Sequence, residues 1–164
     1  VEPLIALMLR DLPGYANRAI SRSTRGLNLG GLGSSVLLAG RPEFEPLPLS
    51  SDLPSSPPDP NLHQVFITTL ERQTIGAGGN SKETVGKTVR LQEFHWLFLA
   101  QAQNGWILAL MFTRTGTYPT TQPPTPPRES SQGAIGQAIR TWLRDCNAGV
   151  IRPIKSDNLF NKTR

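Results

Sequence analysis

Two periodicities alternate along the chain, and they divide it into helical ends and a β-rich middle. Leu4, Leu7, Met8 and Leu12 recur at helical spacing, with Pro3 in the first turn and Glu2 at its positive end. This predicts a helix over residues 3–12. The step Leu12-Pro13-Gly14 should interrupt it, because proline lacks a backbone donor and restricts the residue before it. Ala16, Ala19 and Ile20 then predict a second piece over 15–24, so the N-terminus reads as a broken helix pair. At the other end Ile135, Ala138, Ile139, Trp142, Leu143 and Cys146 form an apolar stripe at i, i+3, i+4, i+7, i+8 and i+11. Gln137, Arg140, Thr141 and Arg144 occupy the opposite side, and Gly149 stands where a left-handed residue commonly ends a helix.

Between these ends the period shortens to two. Strands are predicted over 35–40 and over HQVFITTLER, residues 63–72. The longest signal is TVRLQEFHWLFLAQAQNGWILALMFTR, where Asn104-Gly105 between two apolar runs is a strong hairpin code. A two-residue turn there opposes Leu99 to Leu110, Leu97 to Phe112 and His95 to Arg114. One face then carries Leu97, Leu99, Leu108, Leu110 and Phe112, and the other Phe94, Trp96, Phe98, Ile107, Ala109 and Met111. Both faces are apolar, whereas a surface hairpin alternates apolar with polar. The sheet must therefore be covered on both sides, and the helices account for one. Function is expected on the side they leave.

The connections are glycine-rich (26–33), proline-rich (41–60 and 118–130) and turn-rich (75–86). The glycine run GLNLGGLG has no P-loop lysine and no preceding strand, so it reads as a connection and not a phosphate cradle. The expected architecture is one α+β domain over residues 1–164. It has an antiparallel sheet of about four strands, an N-terminal helix pair, a C-terminal helix and a short polar tail.

Charge and candidate chemistry refine this picture modestly. The net charge of +5 comes from scattered arginines without a basic block, which argues against specific nucleic-acid binding. An anionic membrane surface or a protein partner suits the same charge, with Arg18, Arg22 and Arg25 as contact residues. The apolar run at residues 3–9 is too short to span a bilayer. A single cysteine forms no internal disulfide, and Cys146 lies at a helix C-terminus, where the dipole opposes a thiolate. It reads as a packing residue. His95 shares a strand face with Glu93 and faces Arg114 across the predicted hairpin, a polar patch whose simpler use is hydrogen bonding and ion pairing at the strand end. No nucleophile elbow accompanies it, and no catalytic residue, metal site or cofactor is assigned.

Four segments together resemble a group of uncharacterised cyanobacterial proteins made with an N-terminal export signal. They are LMLRDLPGYANR (7–18), LLAGRPEFEPLPL (37–49), VFITTLER with HWLFLAQ (65–72 and 95–101), and AIRTWLRDCNAGVIRP (138–153). The resemblance implies an exported protein of the periplasm or thylakoid lumen that starts near Val1 after signal cleavage, and it brings no activity with it. The leading expectation is a non-enzymatic binding or accessory protein acting on a membrane complex or membrane surface. Behind it stand a carrier of a small apolar ligand or lipid, with a cup lined by Phe94, Trp96, Phe98 and Met111, and an enzyme built on His95 and Glu93.

Overall fold

The computed structural model describes residues 1–25, 33–44, 59–75 and 87–152. The glycine run at 26–32, most of the first proline-rich stretch (45–58), the turn-rich connection at 76–86 and the tail from 153 lie outside the described residues. In chain order the elements are α1 (Glu2–Thr24), β1 (Gly33–Glu43), β2 (Leu62–Ile75), β3 (Lys87–Ala102), β4 (Gly105–Thr117), β5 (Arg128–Glu129) and α2 (Ala134–Asn147). The strands form one antiparallel sheet in sequential order β1-β2-β3-β4-β5, so the chain is α+β.

The expected helix pair is a single helix. Pro13 lies inside α1, and the buried stripe Ile5, Met8, Leu12, Ala16, Ala19 runs straight across it. An interior proline costs about 3 kcal/mol, while burying one large aliphatic side chain returns about 1.5–3 kcal/mol. Three such side chains, Ile5, Met8 and Leu12, are fully buried in the shared core, which outweighs the local penalty.

Both helices pack on the same face of the sheet. Their stripes meet Val65 and Ile67 of β2, Leu97 and Leu99 of β3, and Leu108 and Met111 of β4. Two hydrogen bonds tie helix to helix: Trp142 Nε1 donates to Asp11 Oδ2 at 3.0 Å, and the Tyr15 hydroxyl to Asp145 Oδ2 at 2.9 Å. Cys146 is half-buried against the core edge, and burial pushes its thiol pKa upward. Gly149 takes a φ of +72° just past the helix, where the stripe predicts a left-handed residue. At the other end of α2 a side chain at Gly136 would collide with the Ser131 carbonyl, so glycine permits the close approach of the first turn.

The β3–β4 hairpin departs from the expected register in two places. Gln103 and Asn104 are the turn residues, and only Gly105, with φ +112°, lies in the left-handed region. That is the pattern of a type I turn followed by a positive-φ glycine, in place of the two-residue type I′ turn. Leu99 consequently opposes Leu108. Ala109 is then an unpaired bulge residue, and beyond it Leu97 opposes Met111 and His95 opposes Thr113. The bulge moves Met111 to the helix-covered face and sends Leu110 and Phe112 to the other, the reverse of strict alternation.

Two asparagines from the helices grip the sheet edges. The Asn17 amide donates to the Val36 carbonyl at 3.0 Å and accepts from the Val36 N–H at 2.7 Å. Asn147 makes the same pair with the backbone of Trp106, at 2.9 and 3.0 Å.

Candidate functional sites on the two sides of the sheet

Neither helix covers the second face. Register places Phe66 of β2, Phe94, Trp96 and Phe98 of β3, and Phe112 of β4 on it. The rings form a row in two touching groups, with centroids 5.3 Å apart for Phe66–Trp96 and 6.3 Å for Phe66–Phe94 in one, and 6.3 Å for Phe98–Phe112 in the other. All five are only half-buried. Of the seven exposed large apolar side chains among the described residues, Leu38, Leu62, Ile107 and Leu110 also lie here. Apolar exposure is thus concentrated on one side of the molecule, the signature of a contact surface and not of scattered surface leucines.

The same face carries charge. Arg72 of β2 is directly opposite Arg90 of β3, and both are exposed. Like charges opposed across a strand pair are destabilising. Among the described residues neither is in an ion pair. Arg114, opposite Phe94, lies on this face as well, and its Nε donates to the Thr125 carbonyl at 2.9 Å. The expected grouping of Arg114 with His95 and Glu93 is therefore corrected: the bulge at Ala109 puts Arg114 on the far side of the sheet from them. Met111 is likewise separated from Phe94, Trp96 and Phe98, and is buried beneath the helices. A single cup lined by all four is not formed.

Arg18, Arg22 and Arg25 sit near the C-terminal end of α1, where with Asn17 and Ser21 they line a shallow groove of about 350 Å³. Arg18 stacks 4.4 Å over the Tyr15 ring. These arginines belong to the helix layer, so one flat surface cannot meet them and the aromatic row together.

His95 and Glu93 do come together, and a second carboxylate, Glu71, joins them. On the helix-covered face, a cleft of about 280 Å³ opens where α1 and the first turn of α2 diverge. Glu71, Glu93, His95, Thr113 and Ser130 line it. The Glu71 and Glu93 carboxyls are neighbours in the cleft, and the charge on Glu71 opposes ionisation of Glu93. Thr115 donates to Glu93 and Ser34 to Glu71, each at 3.2 Å. Burial and the neighbouring Glu71 charge push Glu93 up to about 7, and burial raises Glu71 too. His95 is fully buried, which drives its pKa down to about 3 and leaves the imidazole neutral. Its Nε2 meets the Thr69 hydroxyl at 2.9 Å and its Nδ1 the Thr113 hydroxyl at 2.8 Å. Glu93 lies 3.7 Å from Nε2, beyond hydrogen-bond range, and a neutral ring makes no ion pair with it. The cleft can present a protonated carboxyl near neutral pH. Its imidazole is already committed on both nitrogens.

Among the described residues no group of three or more His, Cys, Asp or Glu is arranged to hold a metal ion, and no helix is long and apolar enough to cross a membrane. Comparison with known protein families, curated proteins and solved structures found no match.

Proposed function

We propose that the protein is a non-enzymatic peripheral binding protein that applies its uncovered sheet face to an anionic membrane surface. The observation that carries this reading is the opposed Arg72–Arg90 pair, without an ion-pair partner among the described residues, on the same face as the aromatic row. Aromatic rings favour the membrane interface, and each arginine near an anionic surface adds about 1 kcal/mol. A protein would not retain two opposed guanidiniums for stability, since they repel; an external anionic surface relieves that repulsion. A nucleic acid suits the face less well, because base stacking needs free ring faces and these rings pack on one another, Phe66 stacked on Phe94 and tilted to Trp96, and Phe98 edge-on to Phe112. An enzyme built on His95 and Glu93 ranks behind, because Thr69 and Thr113 hold both imidazole nitrogens. The resemblance to exported cyanobacterial proteins supports a periplasmic or thylakoid-lumen setting, with a membrane complex as the neighbouring protein partner.

Co-sedimentation with vesicles tests the reading. The full chain should bind phosphatidylglycerol vesicles at low salt, ignore phosphatidylcholine vesicles, and be released by salt. Replacing both Arg72 and Arg90 by Gln should weaken binding roughly tenfold or more. Trp96→Ser should weaken it separately. Failure to bind anionic vesicles, or equal binding by all these variants, would refute the proposal.

A further inference from the structure

A second cleft, unrelated to the aromatic row, lies between the start of β4 and the outer side of α2. It encloses about 480 Å³, within the range of small-molecule sites. Leu108 and Leu143, both nearly buried, form its floor. Trp106 makes one wall, and Arg140 and Arg144, one helical turn apart, make the other. The wall is held in place. Trp106 is clamped through its backbone by Asn147, and its ring sits edge-on to His63 with centroids 5.1 Å apart. The side of the cleft is not closed by a strand, because β5 pairs with β4 only at Phe112 and Thr113.

The two guanidiniums have capacity to spare. Arg140 donates one N–H to the Ser131 carbonyl at 2.9 Å and feels the charge of Glu129. Arg144 leans on its sequence neighbour Asp145 at 3.2 and 3.3 Å with its side chain 74% exposed, an ion pair of the kind that contributes little. Each guanidinium has five N–H donors, so several remain on both. An apolar floor beneath two partly free guanidiniums is a particular combination. Apolar surface alone would accept any greasy molecule, and arginines alone any anion.

The geometry points to a binding site for a small organic acid with an apolar body, its carboxylate bridging Arg140 and Arg144 and its hydrocarbon lying on Leu108 and Leu143 beside Trp106. A charge-assisted hydrogen bond is worth about 1.5–3 kcal/mol, so losing one arginine should cost at least about tenfold in affinity.

Decanoate is a suitable probe, with 1-decanol as its uncharged counterpart. Decanoate should bind saturably, one per chain, and shift the Trp106 indole N–H signal in NMR spectra of the full protein. Decanol should bind at least about tenfold more weakly. Arg144→Gln should weaken decanoate by at least about tenfold. Because Arg140 also braces Ser131, Asn104→Glu serves as the second variant, placing a negative charge at the exposed rim of the cleft; it should weaken decanoate binding strongly. Trp96→Ser should leave it unchanged. Equal affinity for decanol, an undiminished response in Arg144→Gln or Asn104→Glu, or a response at Trp96 in place of Trp106 would each overturn the assignment.

Discussion

One sheet, two environments: the helix-covered face and the uncovered face are built from alternate residues of the same strands, yet they obey opposite rules. On the covered side the aliphatic residues Val65, Ile67, Leu97 and Leu99 are fully buried, and the polar groups that share that side are hydrogen-bonded to one another. On the uncovered side large aromatic rings stay half-exposed and two arginines face each other without a counterion among the described residues. The first arrangement is what stability asks for. The second sacrifices stability, and that sacrifice is the reason for assigning binding to it.

The largest effect should separate neighbours in the chain. Leu97 and Phe98 are consecutive but point to opposite faces. Leu97→Ala removes a fully buried side chain and should cost about 2–5 kcal/mol in urea unfolding. Phe98→Ala deletes a larger ring that is already partly in water, and should cost less than that. Equal losses would mean the two faces are equally packed, and the comparison would collapse.

The turn that delivers β4 to its faces should matter next. Alanine at Gly105 must adopt a positive φ and would meet the Asn147 side chain. A loss of about 1–3 kcal/mol in thermal or urea unfolding is expected. Asn147→Ala in the same chain should recover part of the steric share.

A pH experiment tests the covered side through its polar cleft. Glu93 loses its proton near 7 in the folded chain but near its ordinary 4.5 when unfolded. Between those values the folded chain holds the extra proton, so stability falls as pH rises through that window. The raised Glu71 acts in the same direction. His95 acts oppositely: the unfolded chain protonates it near 6.5 and the folded chain only near 3, so stability rises with pH between 3 and 6.5. The two slopes oppose each other from 4.5 to 6.5. Glu93→Gln removes the falling arm, so it should gain on the parent protein by on the order of 1–2 kcal/mol between about pH 4 and pH 8, read from urea midpoints. No change in the difference between the two proteins across that range would show that the folded chain does not hold Glu93 protonated.

The smallest stability effect belongs to the uncovered face. Replacing Arg72 by Gln relieves repulsion from Arg90 and should leave stability unchanged or raise it by a few tenths of a kcal/mol, even as vesicle binding drops. A clear loss of stability instead would assign the arginine pair to the fold.

Much of this contrast is legible in the amino-acid sequence. Alternation along β3 correctly separates Phe94, Trp96 and Phe98 from Leu97 and Leu99, because a strand without a bulge has a strict period of two. The stripe of α2 is equally plain. β4 is not, because a single bulged residue, Ala109, inverts every assignment beyond it and carries no sequence mark. Strict alternation misplaces Met111 and Arg114 for that one reason. Pro13 misleads at α1 because its local cost is visible in sequence, while the packing that overrides it is a tertiary property. β5 leaves no signal, since two residues have no period to read. The Arg72–Arg90 opposition and the Glu71–Glu93 contact both depend on the β2–β3 register. A turn signal as short as Asn-Gly between two strands can set a register, whereas the long turn-rich connection between those strands singles out no one turn.

The paired amide contacts of Asn17 and Asn147 have a meaning for the chain in a crowded solution. A sheet with one apolar face invites copies of itself to add strands along its rims, and from there to grow into cross-β stacks. At Val36 and at Trp106 each asparagine offers one donor and one acceptor where an incoming peptide group would dock, so the hydrogen-bonding sites are already occupied. The molecule can thus present a greasy platform to a surface while refusing its own siblings at the edges, and losing either asparagine should show first as aggregation on storage and only second as instability.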